Sequence, residues 1–174
     1  MVTLEEIKQV IKSKPEWDTF GTKKEIKELP SILTDGENIL GLTSGFLNGN
    51  TWLIVVTPKR VLFLDKGMIY GLKQVEILVE KINSIEFKTG LIFGEIHVWD
   101  GSSKMIIQQI LKGNVKPFAE SINKAIDLYR NRGLANGSKS SNVADELKKL
   151  AELKAQGILT EAEFDAQKKK LLAT

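Results

Sequence analysis

Two apolar runs, residues 52–56 and 61–64, flank the tetrapeptide TPKR within the stretch TWLIVVTPKRVLFLDK. Pro58 fixes φ at the first central position of a tight turn, so the pattern predicts a β-hairpin. Both arms are almost continuously apolar, which predicts that they lie in the middle of a sheet and are covered on more than one side. Because alternate side chains point to opposite faces, we expect one alternate set to face inward and to tolerate truncation less than the other.

Short apolar segments separated by Gly, Asn and Asp continue on both sides of this hairpin. Asn48-Gly49, the strongest short hairpin signal, precedes it. About seven short strands at near-regular spacing predict an antiparallel barrel or sandwich. The predicted strands cover residues 37–46, 52–56, 61–64, 72–79, 82–88, 95–99 and 104–110.

Two short helices are predicted before the strands. Thr3 with Glu6 and Thr22 with Glu25 have capping-box spacing, so each pair is expected to begin a helix. Pro30 is expected to stop the second helix.

Two aromatic residues, Trp17 and Phe20, lie between these helices. Large aromatic side chains are usually buried. We expect both to pack the N-terminal helices against the later core, with a ligand-binding role as the alternative.

One long helix is predicted after the strands. Asn114 can cap it, Pro117 lies in its first turn, and Gly133 is expected to end it. A single apolar stripe suits a helix that closes an open end of the barrel. The stripe consists of Phe118, Ile122, Ala125, Ile126 and Tyr129.

A small, polar stretch, LANGSKSS at residues 134–141, is predicted to be a flexible linker. Beyond it, apolar residues recur at helical spacing, Gly157 breaks the pattern, and Thr160 with Glu163 forms another capping box. Residues 142–174 are therefore predicted to form a short helical hairpin.

Composition excludes several kinds of site but does not indicate a particular chemistry. The chain has 174 residues, a net charge of +3 and no cysteine, so disulfides and thiolate metal sites are excluded. Basic and acidic residues are mixed along it, without the one-sided excess typical of nucleic-acid or anionic-lipid binding. No apolar run reaches the ~20 residues of a membrane-spanning helix. The N-terminus does not resemble a signal peptide, and we expect a cytoplasmic protein.

The sequence offers no catalytic, cofactor or metal site. His97 is the only histidine, and its alternation with Ile96 and Val98 predicts a solvated position on the outer face of a strand. The chain has no glycine-rich phosphate loop, and the residues before Gly157 lack the oxygen ligands of a calcium loop. We therefore expect a protein that is not an enzyme.

Several short motifs give the chain a family resemblance. The first part of the chain resembles the bacterial, YokE-like branch of the pleckstrin-homology (PH) superfamily. The resemblance is carried by Glu28-Leu29-Pro30, Glu37-Asn38-Ile39-Leu40, Thr57-Pro58-Lys59-Arg60-Val61 and the closing helix. The tail resembles the short C-terminal domain called SHOCT. That second pattern is carried by Leu150, Leu153, Gly157, Ile158, Leu159, Thr160, Glu163, Phe164, Lys168, Leu171 and Leu172.

The resemblance implies a mainly β fold with α, in which a PH-like antiparallel barrel of about seven strands is capped by a C-terminal helix and followed by a short helical hairpin. We divide the chain into an N-terminal helical segment (1–30), a PH-like domain (31–133), the linker (134–141) and a SHOCT-like hairpin (142–174). Eukaryotic PH domains hold phosphoinositides through basic residues near the first hairpin. Residues 38–57 contain no Lys or Arg, which argues against that ligand.

The function expected from this layout is a non-catalytic scaffold. PH-like barrels expose a groove between a sheet edge and the closing helix, where a protein or peptide segment can add as a strand. The alternative is peripheral membrane binding through a loop contact of Phe46 and Leu47. Nucleic-acid binding through Lys168, Lys169 and Lys170 is a further alternative, although a solvated helix face explains those lysines better.

The tail is expected to mediate oligomerisation or partner docking, because a helical hairpin below ~40 residues rarely holds a sufficient core. We favour a homo-oligomer over a hetero-complex. The expected contact residues are Leu147, Leu150, Leu153, Ile158, Leu159, Phe164, Leu171 and Leu172.

Overall fold

The computed structural model describes residues 2–67, 69–101, 103–155 and 160–172. The chain divides into two compact units, Met1–Tyr129 and Arg130–Thr174. In the first unit, the described residues form two α-helices, seven strands, a short 3₁₀ helix (Val79–Lys81) and the start of a third α-helix. These elements are α1 (Leu4–Lys12), α2 (Lys23–Ile32), β1 (Gly41–Leu47), β2 (Asn50–Val56), β3 (Arg60–Lys66), β4 (Leu72–Leu78), β5 (Ser84–Thr89), β6 (Phe93–Asp100), β7 (Ser103–Leu111) and α3 (Lys112–Ala155).

The seven strands form one antiparallel sheet in the order β4-β3-β2-β1-β7-β6-β5, so β4 and β5 are its edges. Helix α3 follows the last strand and packs its apolar stripe against the inner face of the sheet. The predicted fold class is confirmed: a mainly β domain with about seven antiparallel strands and a helix after them.

The β2–β3 hairpin separates two apolar cores. Because side chains alternate between the faces of a strand, one set packs with α3 and the distant strands, and the other packs with α1 and α2. The set facing α3 includes Ile54, Val56, Val61 and Phe63. The set facing α1 and α2 includes Leu53, Val55, Leu62 and Leu64. All eight side chains are fully buried, so the expectation that only one alternate set faces inward is wrong.

The N-terminal helices follow the sequence signals only in part. The capping box of Thr3 and Glu6 is present, as predicted. The second capping box is wrong, because the side chain of Thr22 makes no capping hydrogen bond. The buried Glu25 instead accepts a hydrogen bond from the backbone N–H of Lys66 at 2.7 Å, which fixes α2 to the end of β3. Pro30 lies inside α2 and does not stop it.

The two aromatic residues between α1 and α2 have different environments. Trp17 is half-buried and packs against the core beneath the N-terminal helices, as expected. Phe20 is 81% exposed, so the expectation that it packs into the core is wrong.

Helix α3 begins at Lys112 and extends to Ala155, so Gly133 does not end it. In its first half Phe118, Ile122 and Ala125 are buried, as the stripe predicts, whereas Tyr129 is exposed. Residues 134–141 have helical backbone. The flexibility assigned to them from sequence stays a prediction.

The second unit contains the end of α3 and helix α4 (Glu161–Leu172). The predicted capping box at the start of α4 is confirmed. The Thr160 N–H donates to Glu163 Oε2 at 2.9 Å, and the Glu163 N–H donates to Thr160 Oγ1 at 3.4 Å.

Candidate binding cleft

An apolar cleft of about 330 Å³ opens on the first unit. Four large apolar side chains, Phe20, Phe46, Phe93 and Leu111, line it. They come from the α1–α2 loop, β1, the start of β6 and the end of β7, which are distant in sequence. We call this feature the apolar cleft.

A β-bulge in β7 shapes the wall of the cleft. The β6–β7 register shifts between Gly94 and Ile96, so that Gln108 and Gln109 of β7 lie opposite the single residue Glu95 of β6. Gln109 takes up the irregularity with a φ of 55°, a left-handed conformation that is uncommon outside glycine. Beside it, Gln108 pairs with Phe46 of β1. The bulge therefore bends β7 where the cleft opens.

Asp18 positions the exposed side of the cleft. One of its carboxylate oxygens accepts a hydrogen bond from the backbone N–H of Phe20 at 3.1 Å. The other accepts a hydrogen bond from the hydroxyl of Ser44 on β1. Asp18 thus fastens the α1–α2 loop to the sheet and holds Phe20 at the mouth of the cleft rather than in the core.

The β5–β6 hairpin extends the apolar surface next to Phe93. The Gly90 N–H donates to the Phe93 carbonyl at 2.7 Å, so Leu91 and Ile92 form a two-residue turn. Their side chains are 89% and 62% exposed. The Lys112 N–H donates to the Ile92 carbonyl at 2.9 Å and ties this turn to the start of α3. Consecutive exposed apolar residues of this kind usually mark an interaction surface.

The predicted loop-contact pair is split by the structure. Phe46 lines the apolar cleft. Leu47 is buried in the core, and its carbonyl accepts a hydrogen bond from the Trp52 indole at 2.9 Å, so its expected surface position is wrong. The turn after it, with positive φ at Asn48 and Gly49, confirms the hairpin signal. Sequence reasoning favoured a core position for Phe20 over a ligand-binding one, and it missed Phe93 and Leu111 as site residues, since no local pattern links them.

The predicted contact residues of the tail are only partly described. Leu147, Leu150 and Phe164 are half-buried, and Leu153 is exposed. The Lys154 ammonium lies over the ring of Phe164, 5.1 Å from its centroid. Ile158 and Leu159 lie outside the described residues, and only the backbone of Leu171 and Leu172 is described, within α4. Their role in assembly stays a prediction.

His97 occupies a different environment from the one expected. It lies on the face opposite Ile96 and Val98, as predicted, but it is buried rather than solvated. Its Nε2 is 3.0 Å from Glu95 Oε1 and its Nδ1 is 3.7 Å from Glu86 Oε2. Among the residues that the structure describes, no group of three or more metal-ligating side chains could hold an ion.

A second cleft, of about 420 Å³, has a polar lining that is already largely paired. The Asn50 side-chain amide donates to Asp65 Oδ2 at 2.9 Å. Lys66 forms an ion pair with Glu28, and its N–H bonds to Glu25. These contacts hold α2 against the β2–β3 hairpin, and we interpret them as structural.

Comparison with known families identifies both parts of the chain. A family model described as bacterial PH domain matches residues 33–124. The chain belongs to the bacterial PH domain family. A second model, described as short C-terminal domain (SHOCT), matches residues 145–172. The resemblance drawn from sequence is confirmed in both parts.

Two solved bacterial structures are similar to the PH domain. A pleckstrin homology domain from Shewanella amazonensis SB2B is 22% identical, covers 49% of this chain and 80% of its own length, and has a TM-score of 0.37. A DUF1696 family protein with a pleckstrin-homology domain from Shewanella loihica PV-4 is 18% identical, with coverages of 59% and 91% and a TM-score of 0.44. No curated protein sequence matches the chain. In the part of the chain that the structure describes, every helix is too short or too polar to span a bilayer.

Within the PH domain, two of the motifs that carry the resemblance meet around Glu37. Its buried carboxylate accepts hydrogen bonds from Thr34 at 2.9 Å, Thr57 at 2.8 Å and Arg60 at 2.9 Å. Burial by itself would raise the pKa of Glu37, but the hydrogen bonds from Arg60, Thr34 and Thr57 outweigh it and lower the pKa to about 2. The network fixes the β2–β3 turn and serves the fold rather than ligand binding.

Proposed function

We propose that this protein is a non-catalytic binding module whose PH domain recognises a protein segment through the apolar cleft. The observation that supports this most strongly is the convergence of four large apolar side chains from separate elements on one opening, with Phe20 at its mouth. Isolated exposed apolar residues need no explanation, whereas a gathered set indicates an interaction site.

The size and lining of the cleft favour an apolar side chain of a protein partner. Its volume of about 330 Å³ lies at the lower end of the range for ligand pockets, ~300–1,000 Å³. The polar groups in it are few, and the hydroxyl of Ser44 is already bonded to Asp18. An apolar anchor on a peptide would therefore be held mainly by burial, with Gln109 as a polar neighbour.

Peptide display on the immobilised full-length chain tests this proposal. Selected peptides should share an apolar anchor residue, and Leu111→Ser should weaken their binding about tenfold or more because it removes one wall of the cleft. Leu78→Ser on β4 is the matched control, since Leu78 and Leu111 are 42% and 43% exposed. The proposal fails if no peptide is enriched, or if both variants bind equally well.

We further propose that the SHOCT domain mediates self-association. Its apolar residues recur at helical spacing, and an isolated hairpin of this length cannot form an adequate core. Light scattering on the full-length chain should show an oligomer whose mass decreases when Leu150→Lys and Leu153→Lys are combined. Glu152→Lys, on an exposed position between them, is the control. A full-length chain that is monomeric at micromolar concentration would exclude self-association through the tail.

Peripheral membrane binding is the second candidate, supported by the exposed turn at Leu91 and Ile92 beside Lys112. An apolar turn flanked by lysine can insert between lipid headgroups. Co-sedimentation with anionic vesicles at low salt should then depend on Leu91, and Leu91→Ser should abolish it. Absence of sedimentation with the unaltered chain would exclude this candidate.

A further inference from the structure

The strand β5 is an exposed edge of the sheet. β5 ends the sheet, pairs only with β6 within the sheet order, and is exposed along its length apart from Ile85. It contains no proline, and the central residue Phe87 is 47% exposed. An edge strand of this kind offers unpaired backbone groups to another strand.

The β5–β6 turn determines which backbone groups face the open edge. Gly90 and Phe93 are joined by a backbone hydrogen bond. Backbone groups alternate in direction along an antiparallel strand, so Lys88 and Glu86 direct theirs toward β6. The N–H and C=O groups of Thr89, Phe87 and Ile85 therefore point away from the sheet.

We propose that β5 pairs antiparallel with β5 of a second copy of this chain, with the two-fold axis at Phe87. In this register Phe87 lies opposite its own copy, and Ile85 lies opposite Thr89, so that every outward backbone group of these residues finds a partner. Glu86 of one copy lies opposite Lys88 of the other, and the reverse pair follows from the symmetry.

The sheet geometry places these charges on the same face. Glu86 pairs with His97 and Lys88 pairs with Glu95 across β5 and β6. The side chains of Glu86 and Lys88 therefore lie on the face of the sheet opposite the core residues Ile96 and Val98. Both side chains are mostly exposed, and each makes only a long contact within its own chain: Lys88 Nζ lies 3.7 Å from Glu95 Oε1, and Glu86 Oε2 lies 3.7 Å from His97 Nδ1. Directly opposed side chains of an antiparallel pair share a face, so the two Glu86–Lys88 contacts can form without displacing the core.

The charge pattern also selects the register. Natural edge strands often carry a lysine that repels other edges. Here a shift of two residues in one direction would oppose Glu86 to Glu86, and in the other direction Lys88 to Lys88. Only the register centred on Phe87 makes both contacts attractive, which favours a second copy over an unrelated strand.

Cysteine cross-linking in the full-length chain tests the pairing, because the chain has no cysteine of its own. In a hydrogen-bonded antiparallel pair the Cα atoms lie ~5.5 Å apart, within the range that a disulfide spans. Phe87→Cys should therefore form a disulfide-linked dimer under mild oxidation. Val75→Cys, on the opposite edge strand β4, should stay monomeric, and association through the tail alone would link neither variant.

Charge exchange in the Phe87→Cys background distinguishes cross-linking through the β5–β5 register from cross-linking by random collision. Glu86→Lys and Lys88→Glu should each reduce the cross-linked fraction about fivefold or more, because each creates two like-charge contacts. An equimolar mixture of these two variants, and the double variant, should both restore it. Unchanged melting temperatures would show that all variants are folded. Failure of Phe87→Cys to cross-link, or cross-linking that ignores the charges, would overturn the proposal.

Discussion

The carboxylate of Glu37, which is fully buried, forms a bidentate ion pair with the partly buried guanidinium of Arg60. Arg60 Nε lies 2.9 Å from Oε1 of Glu37, and a terminal nitrogen lies 3.0 Å from Oε2. The pair joins the segment before β1 to the start of β3, and Arg60 also donates to the carbonyl of Ile32 at the end of α2. One side chain thus links α2, the approach to β1 and the central hairpin.

Removing the cation from this pair should strongly destabilise the fold. Arg60→Met leaves the buried carboxylate of Glu37 without its charged partner, which should cost about 3–5 kcal/mol in the free energy of unfolding. Glu76→Gln is the control, because Glu76 contacts the same guanidinium from an exposed position and should cost less than about 1 kcal/mol. Urea denaturation measures both, and similar losses would contradict the central role of Glu37.

The same carboxylate should make stability depend on acidity. The pKa of Glu37 in the folded chain, about 2, lies below its ordinary 4.5. A lowered folded pKa contributes stability that is present above pH 4.5 and is lost as the pH falls through about 2. Urea denaturation across this window should show a shallower decline for Glu37→Gln than for the unaltered chain. Parallel declines would show that Glu37 is not a source of the dependence.

Truncations on both faces of the β2–β3 hairpin should be equally damaging. Leu53→Ala opens a cavity beneath α1 and α2, and Ile54→Ala opens one beneath α3. Each should lower the free energy of unfolding by about 2–5 kcal/mol. Val75→Ala, on the exposed edge strand β4, should cost much less. A small loss for Leu53→Ala alone would indicate that the N-terminal helices do not seal their side of the sheet.

The bulge in β7 should be more tolerant of glycine than of a β-branched residue. Gln109 has a φ of 55°, so Gln109→Gly should not lower stability, whereas Gln109→Val should lower it by about 1–2 kcal/mol. At the neighbouring Gln108, whose φ is not positive, glycine should instead cost about 0.5–1 kcal/mol. Thermal unfolding of the three variants checks this, and the reverse order at the two positions would contradict a strained bulge.

The candidate site was the least predictable part of the chain. Phe46 was recognised because it adjoins the Asn48-Gly49 turn, and that signal is local. Phe20 was expected in the core, since a large aromatic residue is usually buried, but the hydrogen bond from its N–H to Asp18 holds it at the surface. Leu111 lines the cleft two residues after the bulge at Gln109, and no local sequence pattern predicts that bulge.

The sequence by itself determined the elements that depend on local periodicity. Alternating and continuous apolar runs, turn residues and the stripe of α3 predicted the strands, both hairpins and the closing helix, because each pattern lies within a few neighbouring residues. Only the tertiary structure decided what covers each face. In it, α1 and α2 cover Leu53, Glu25 accepts a hydrogen bond from the N–H of Lys66, and His97 is buried between the carboxylates of Glu86 and Glu95. A side chain's periodicity fixes the direction in which it points, whereas its environment depends on distant segments that no local pattern specifies.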